Sequence, residues 1–160
     1  MENFLDITVG EMLEKMALDL PNHLAVKYTD RDFERTYKEL NAEAEILARG
    51  FLKSGINKGD HVAIWATNTP EWLLTLFATA KIGAVLVTVN TNYKVYELEY
   101  LLKQSDTKAL VMMHGFKDAD YVKIVNELIP SLKTSEKNKL NIKNLPYLKN
   151  IIYAGDETPD

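Results

Sequence analysis

A chain of 160 residues with 46% hydrophobic and 26% charged residues has the composition of a soluble globular domain large enough to bury a core. Its formal net charge of −4 gives no electrostatic reason to bind nucleic acid, and the lack of cysteine excludes disulfides, thiolate metal sites and cysteine nucleophiles. His23, His61 and His114 are too scattered to form a local ligand pair, and no zinc motif is present.

The opening stretch "MENFLDITVGEMLEK" carries acids where a secretory signal carries basic residues. No run approaches the roughly 20 apolar residues of a membrane helix, so a cytoplasmic protein without a transmembrane segment is expected. Val9, Met12, Leu13, Met16, Ala17 and Leu20 follow helical spacing behind Thr8 and Glu11. That pair forms a capping box, in which each side chain satisfies the other residue's orphan backbone N–H. Pro21 and Asn22 end this helix, and "LAVKYTDRDFERTY" then alternates and turns at Asp30 to Asp32 like a small hairpin. Thr36 and Glu39 repeat the capping box. Leu40, Ala44, Leu47 and Phe51 line one face of the helix it opens, until Ser54 and Gly55 supply a left-handed cap.

From Gly59 the texture changes. "HVAIWA", "AVLVTV", "ALVMM" and "NIIYA" are nearly continuous apolar runs, the pattern of parallel strands covered on both faces. Helical segments lie between them at 70–82, 95–103 and 119–128. In the first, Pro70 and Glu71 suit helix initiation, Trp72, Leu73, Leu76 and Phe77 suit a core, and Gly83 suits a C-cap. The expected fold is α/β: a doubly wound, mostly parallel sheet with helices on both faces, preceded by an N-terminal helix and a small β-hairpin. Residues 131–149, lysine-rich and weakly periodic, read as a solvated surface connection. No internal repeat or second domain boundary appears, so residues 1–160 are one unit. The stretch "AGDETPD" leaves the last strand without a following helix, from which a partial domain is expected, hiding a bare sheet face by self-association.

In an open parallel sheet, ligands bind beyond the carboxyl ends of the strands, where helix N-termini and free loop N–H groups converge. Three loops qualify, at 67–71, 90–94 and 114–118. None contains a dinucleotide fingerprint or a P-loop. Asn90, Thr91 and Asn92 offer compact hydrogen-bonding groups and Tyr93 an aromatic face for a base. Lys117 offers a point charge for a phosphate, with Gly115 allowing close backbone approach. Each loop also reads as an ordinary polar turn after a strand. Asp118 and Asp120 resemble a metal pair only superficially, and no catalytic arrangement emerges.

The order of Thr36-Tyr37-Lys38-Glu39-Leu40, Gly59-Asp60-His61-Val62-Ala63-Ile64, Asn68-Thr69-Pro70-Glu71-Trp72 and Ala80-Lys81-Ile82-Gly83-Ala84-Val85 resembles the N-terminal part of AMP-forming acyl-CoA synthetases. These belong to the acyl-CoA synthetase, adenylation-domain and luciferase superfamily, and the resemblance runs from about Thr8 to Ile152. It implies a parent ligase that uses ATP and Mg2+ to activate a carboxylic acid, a fatty acid by expectation. The acyl group then passes from AMP to coenzyme A. The family's Ser/Thr/Gly-rich phosphate loop, adenine and ribose motifs and catalytic lysine are not among these residues, so the ATP site is expected elsewhere in the parent and this chain alone is expected to be inactive. By resemblance, Asn90, Thr91 and Asn92 lie beside the adenine part of coenzyme A and Lys117 meets its 3′-phosphate. Relatives carry an aromatic residue and glycines at the first position and arginine at the second. The alternatives are a non-catalytic α/β binding or interaction module and a peptide-synthetase adenylation domain.

Overall fold

The structure, a computed structural model, describes residues 6–135 and 140–155; the expectations placed on 136–139 and 156–160 lie outside it. Helix α1 (Val9–Asp19) and helix α2 (Tyr37–Lys53) both start at the predicted capping boxes. Glu11 N–H donates to Thr8 Oγ1 and Thr8 N–H to Glu11 Oε2, and Thr36 and Glu39 repeat the exchange. The bond from Thr8 N–H lowers the Glu11 carboxyl below its ordinary value, and that from Thr36 N–H does the same for Glu39. Between the helices, β1 (Leu24–Tyr28) and β2 (Phe33–Thr36) pair as the predicted antiparallel hairpin.

Strands β3 (His61–Trp65), β4 (Val85–Thr88), β5 (Thr107–Met112) and β8 (Asn150–Tyr153) form one parallel sheet in the order β4-β3-β5-β8. Two further strands, β6 (Gly115–Phe116) and β7 (Ala119–Asp120), make a separate hairpin. Helix α3 (Pro70–Ile82) joins β3 to β4, α4 (Val95–Gln104) joins β4 to β5, and α5 (Tyr121–Leu128) lies between β5 and β8. Alternating side chains explain the continuous apolar runs. Val62, Ile64, Ala109 and Val111 face a cluster with Ala48, Phe51 and Ala78 of α2 and α3. Ala63, Trp65, Leu110 and Met112 face the opposite cluster with Leu98, Leu102, Tyr121 and Val125 of α4 and α5. Stepping from β3 to β4 puts the crossover helix on one face. Stepping the other way, through β5 to β8, puts α4 and α5 on the other, as right-handed connections require.

Among the described residues, only β3 and β5 are interior strands of this sheet. At the edge, β4 leaves Val85 45% exposed, so its apolar run does not mean burial on both faces. The start of α5 also differs from expectation. Ala119 and Asp120 belong to β7, and Asp120 caps the helix by accepting from Lys123 N–H at 2.9 Å, which gives this carboxylate a structural role. The predicted connection, described over 131–135 and 140–149, has mostly exposed or half-buried side chains, but Leu140, Leu145 and Leu148 are buried, the last two 2% and 1% exposed. Its lysines hide this pattern, because single leucines spaced along an irregular segment produce no period. Gly55 and Gly83, at φ 82° and 68°, close α2 and α3 in the left-handed conformation that a side chain disfavours.

Two polar links tie the layers. Lys81 of α3 has a side chain only 5% exposed, and its Nζ reaches Glu14 of α1 at 2.7 Å and Glu45 of α2 at 3.8 Å. At the N-terminal end of the sheet, Lys108 Nζ donates to Asp60 Oδ2 at 2.6 Å, Asn57 N–H donates to the same carboxylate, and His61 Nδ1 donates to the Ser105 carbonyl. Burial alone would raise the Asp60 carboxyl. The bonds from Lys108 and Asn57, with the charges of Lys108 and His61, outweigh it and hold the group below its ordinary 3.8. A depressed folded value contributes stability that is present above 3.8 and is lost as pH falls through the folded value. The urea midpoint of Asp60→Asn, followed from pH 6 to about pH 2, should therefore show a shallower acid decline than the parent. Identical acid declines would dismiss the pair as a contributor.

Candidate functional site

Because β3, β4, β5 and β8 run parallel, their carboxyl ends share one edge, and the three predicted loops meet there. In the first, Thr69 begins α3 without a side-chain cap and Pro70 occupies the first helical position, so the loop's work is helix initiation. Thr67 N–H, its neighbour, points to Met113 Sδ at 3.3 Å, joining this loop to the end of β5.

The second loop is a fixed turn. Asn90 Oδ1 accepts from Asn92 N–H at 2.9 Å, the short side-chain-to-backbone bond that asparagine forms readily. Two backbone carbonyls of this turn are held from below. Trp65 Nε1–H donates to Asn90 O at 3.0 Å, and the Tyr121 hydroxyl donates to Thr91 O at 2.9 Å. The side chains of Asn90 and Asn92 stay exposed, while Thr91 is half-buried. Tyr93 differs from expectation: its ring packs partly against the core cluster, because the turn directs it inward.

The third loop folds as the β6–β7 hairpin around Lys117 and Asp118. Lys117 takes the left-handed conformation at φ 52°, is exposed, and sets its Nζ 5.2 Å from the Phe116 ring centre. Gly115 is required by contact: a Cβ there would stand 2.3 Å from the Ala119 carbonyl oxygen. The hairpin encloses an open cavity of about 300 Å³ lined by residues 114–120. Its base is closed by Tyr121 N–H donating to His114 O at 2.9 Å.

The four site residues predicted from sequence thus fall into two groups at one edge of the sheet, Asn90, Thr91 and Asn92 on one loop and Lys117 on another. The residues that join them, Trp65 and Tyr121, were not singled out. Their rings stack at 3.7 Å and 10°, both 0% exposed. The available signal was a hydrogen-bonding aromatic at the end of an apolar strand and another at the start of a helix. Among the described residues no three His, Asp or Glu side chains cluster as a metal site, and no helix is long and apolar enough to cross a membrane. A second groove of about 440 Å³ lies where Ile46, Leu47 and Leu74 of α2 and α3 meet Ile152 and Ala154, with Glu43 and Glu71 at its wall. Nothing in the apolar spacing of either helix had marked it.

Residues 13–159 match the family model described as AMP-binding enzyme. The chain is 48% identical over 157 residues to the Bacillus subtilis (strain 168) protein named "Putative acyl-CoA synthetase YngI", covering 98% of the chain and 29% of that protein. It is 35% identical over 152 residues to human medium-chain acyl-CoA ligase ACSF2, mitochondrial, covering 95% of the chain and 25% of the relative. Among solved structures, Mycobacterium tuberculosis fatty acyl CoA synthetase superposes with a TM-score of 0.72 at 25% identity, over 92% of this chain and 26% of that one. The chain therefore spans between a quarter and three tenths of the length of these relatives.

Proposed function

The chain belongs to the AMP-binding enzyme family, and from that premise we propose that it is the N-terminal part of an AMP-forming acyl-CoA synthetase acting on a fatty acid. The reaction joins a carboxylate to coenzyme A and converts ATP to AMP and diphosphate. Support comes from the match over residues 13–159 and from relatives named as acyl-CoA synthetase or ligase, one of them for medium chains and one for fatty acyl groups. ATP and Mg2+ supply the activation of the carboxylate. Their site is proposed outside these residues, since no phosphate loop occurs in the sequence and the 160 residues alone are expected to be inactive. A cytoplasmic location for the parent is part of this proposal; no helix among the described residues is long and apolar enough to cross a membrane.

What this chain contributes in that reading is scaffold and part of the coenzyme A approach. The side chains of Asn90 and Asn92 hydrogen-bond the adenine region, and the Lys117 ammonium meets the 3′-phosphate as a point charge. Acyl transfer to a thiol depends on positioning, so a group that holds the far end of coenzyme A acts on binding rather than on adenylation. The uncovered groove, and an outer edge of β8 that pairs with no strand among the described residues, favour self-association of the isolated chain.

In the full-length enzyme, Lys117→Ala should raise the KM for coenzyme A about tenfold, equivalent to roughly 1.4 kcal/mol for an exposed charged hydrogen bond. ATP–pyrophosphate exchange should stay at the parent rate. Equal loss in both assays would sink the assignment.

A further inference from the structure

Tyr121 makes three contacts that no neighbouring residue combines. Its hydroxyl holds the Thr91 carbonyl of the second loop at 2.9 Å. Its own N–H, through the His114 carbonyl at 2.9 Å, closes the base of the hairpin that carries Lys117. Its ring lies flat on Trp65 at 3.7 Å, and Trp65 in turn holds the Asn90 carbonyl. Burial pushes the phenol above its ordinary value, so the hydroxyl remains a donor throughout the neutral range.

We propose that Tyr121 is a positioning residue that fixes the Asn90–Asn92 turn relative to the Lys117 hairpin, so that one coenzyme A molecule meets both at once. The proposal rests on the coenzyme A reading of these loops given above. Its physical basis is that two loops after non-adjacent strands have no backbone pairing with each other, and each carries only a few local bonds. A ligand spanning both gains its full binding only if their separation is set beforehand, since ordering a loop at binding subtracts from affinity. The stacked pair sets it from beneath, with rigid aromatic side chains buried in the core. Asn90 and Asn92 thereby keep exposed side chains, with Asn90 Oδ1 committed to Asn92 N–H, while the backbone beneath them is pinned.

The test is Tyr121→Phe in the full-length enzyme, which removes one hydroxyl and keeps the ring stack. The KM for coenzyme A should rise about three- to tenfold, as expected for one hydrogen bond of about 1 kcal/mol. ATP–pyrophosphate exchange and kcat at saturating coenzyme A should remain unchanged. Hydrogen exchange at the amides of Asn92 and Tyr93 should accelerate, because their local bonds lose the support beneath them. An unchanged KM, an exchange rate that falls in step with it, or unaltered protection at Asn92 and Tyr93 would each overturn the proposal. Lys117→Ala measured alongside separates the two levels. If it raises the coenzyme A KM while Tyr121→Phe is silent, positioning by Tyr121 is wrong and the site stands. If both are silent, the coenzyme A reading falls and the proposal with it. Should Tyr121→Phe fold poorly, Trp65→Phe, which removes the donor to Asn90, must show the same split between coenzyme A KM and pyrophosphate exchange.

Discussion

Phe51→Ala should cost the chain roughly 3–5 kcal/mol of unfolding free energy, the largest loss expected from any one of the substitutions considered. Phe51 is 1% exposed at the end of α2 and fills the cluster formed with Val62, Ile64 and Ala78. Truncation removes the apolar surface of a whole ring and leaves a hole that β3 and α3 cannot close, because both are fixed by hydrogen-bonded neighbours in the sheet and by the Lys81 links. Phe51→Leu, which keeps most of the volume, should cost far less, on the order of 1 kcal/mol. Equilibrium urea unfolding followed by tryptophan fluorescence reads both. A loss below about 1 kcal/mol for the alanine variant would show that α2 is not held by this cluster.

Gly115→Ala should be the most damaging of the small changes at the carboxyl edge. The added methyl carbon would stand 2.3 Å from the Ala119 carbonyl oxygen and 3.2 Å from Asp120 Cα, and both are backbone atoms with no rotamer to turn away. The β6 and β7 strands must separate, breaking the Gly115 and Asp120 pairing, at a cost of roughly 1–3 kcal/mol of the kind that overpacking brings. The hairpin that presents Lys117 then loses its shape. In the full-length enzyme the KM for coenzyme A should rise at least as much as in Lys117→Ala, with ATP–pyrophosphate exchange spared. Gly50→Ala is the control: a Cβ there meets nothing within 4 Å and lies within α2, so it should be neutral or slightly stabilising. A Gly115→Ala variant with parent KM would mean that the hairpin does not present the ligand site.

Much of this molecule is legible without coordinates because its signals are local. The two capping boxes, the proline that opens α3 and the glycine that closes it act within four residues of one another. Strand runs and helical periods likewise report the local geometry in which side chains repeat. The same sequence does not reveal that β4 is an edge, since an apolar strand reads alike in the middle of a sheet and at its side. It conceals Leu145 and Leu148, whose burial depends on where an irregular segment crosses the sheet and not on any spacing.

The candidate site divides along the same line. Residue type and position after a strand marked Asn90, Thr91, Asn92 and Lys117 as candidates beside the reading of ordinary polar turns, because the carboxyl edge of a parallel sheet follows from the alternation of strands and helices, and the family resemblance tied them to coenzyme A. Their joining through Trp65 and Tyr121 was not readable, and neither was the inward turn of Tyr93. Those contacts link residues far apart in the chain, and no periodic pattern encodes which aromatic reaches which carbonyl. By itself, then, the sequence determined the elements, their α/β alternation and the loops that end up at one edge, because capping, turns and periodicity are short-range physics. Only the tertiary structure decided strand order, which apolar residues are covered and how the two loops are held together. Those outcomes depend on packing between segments whose neighbours are set by the folded chain as a whole.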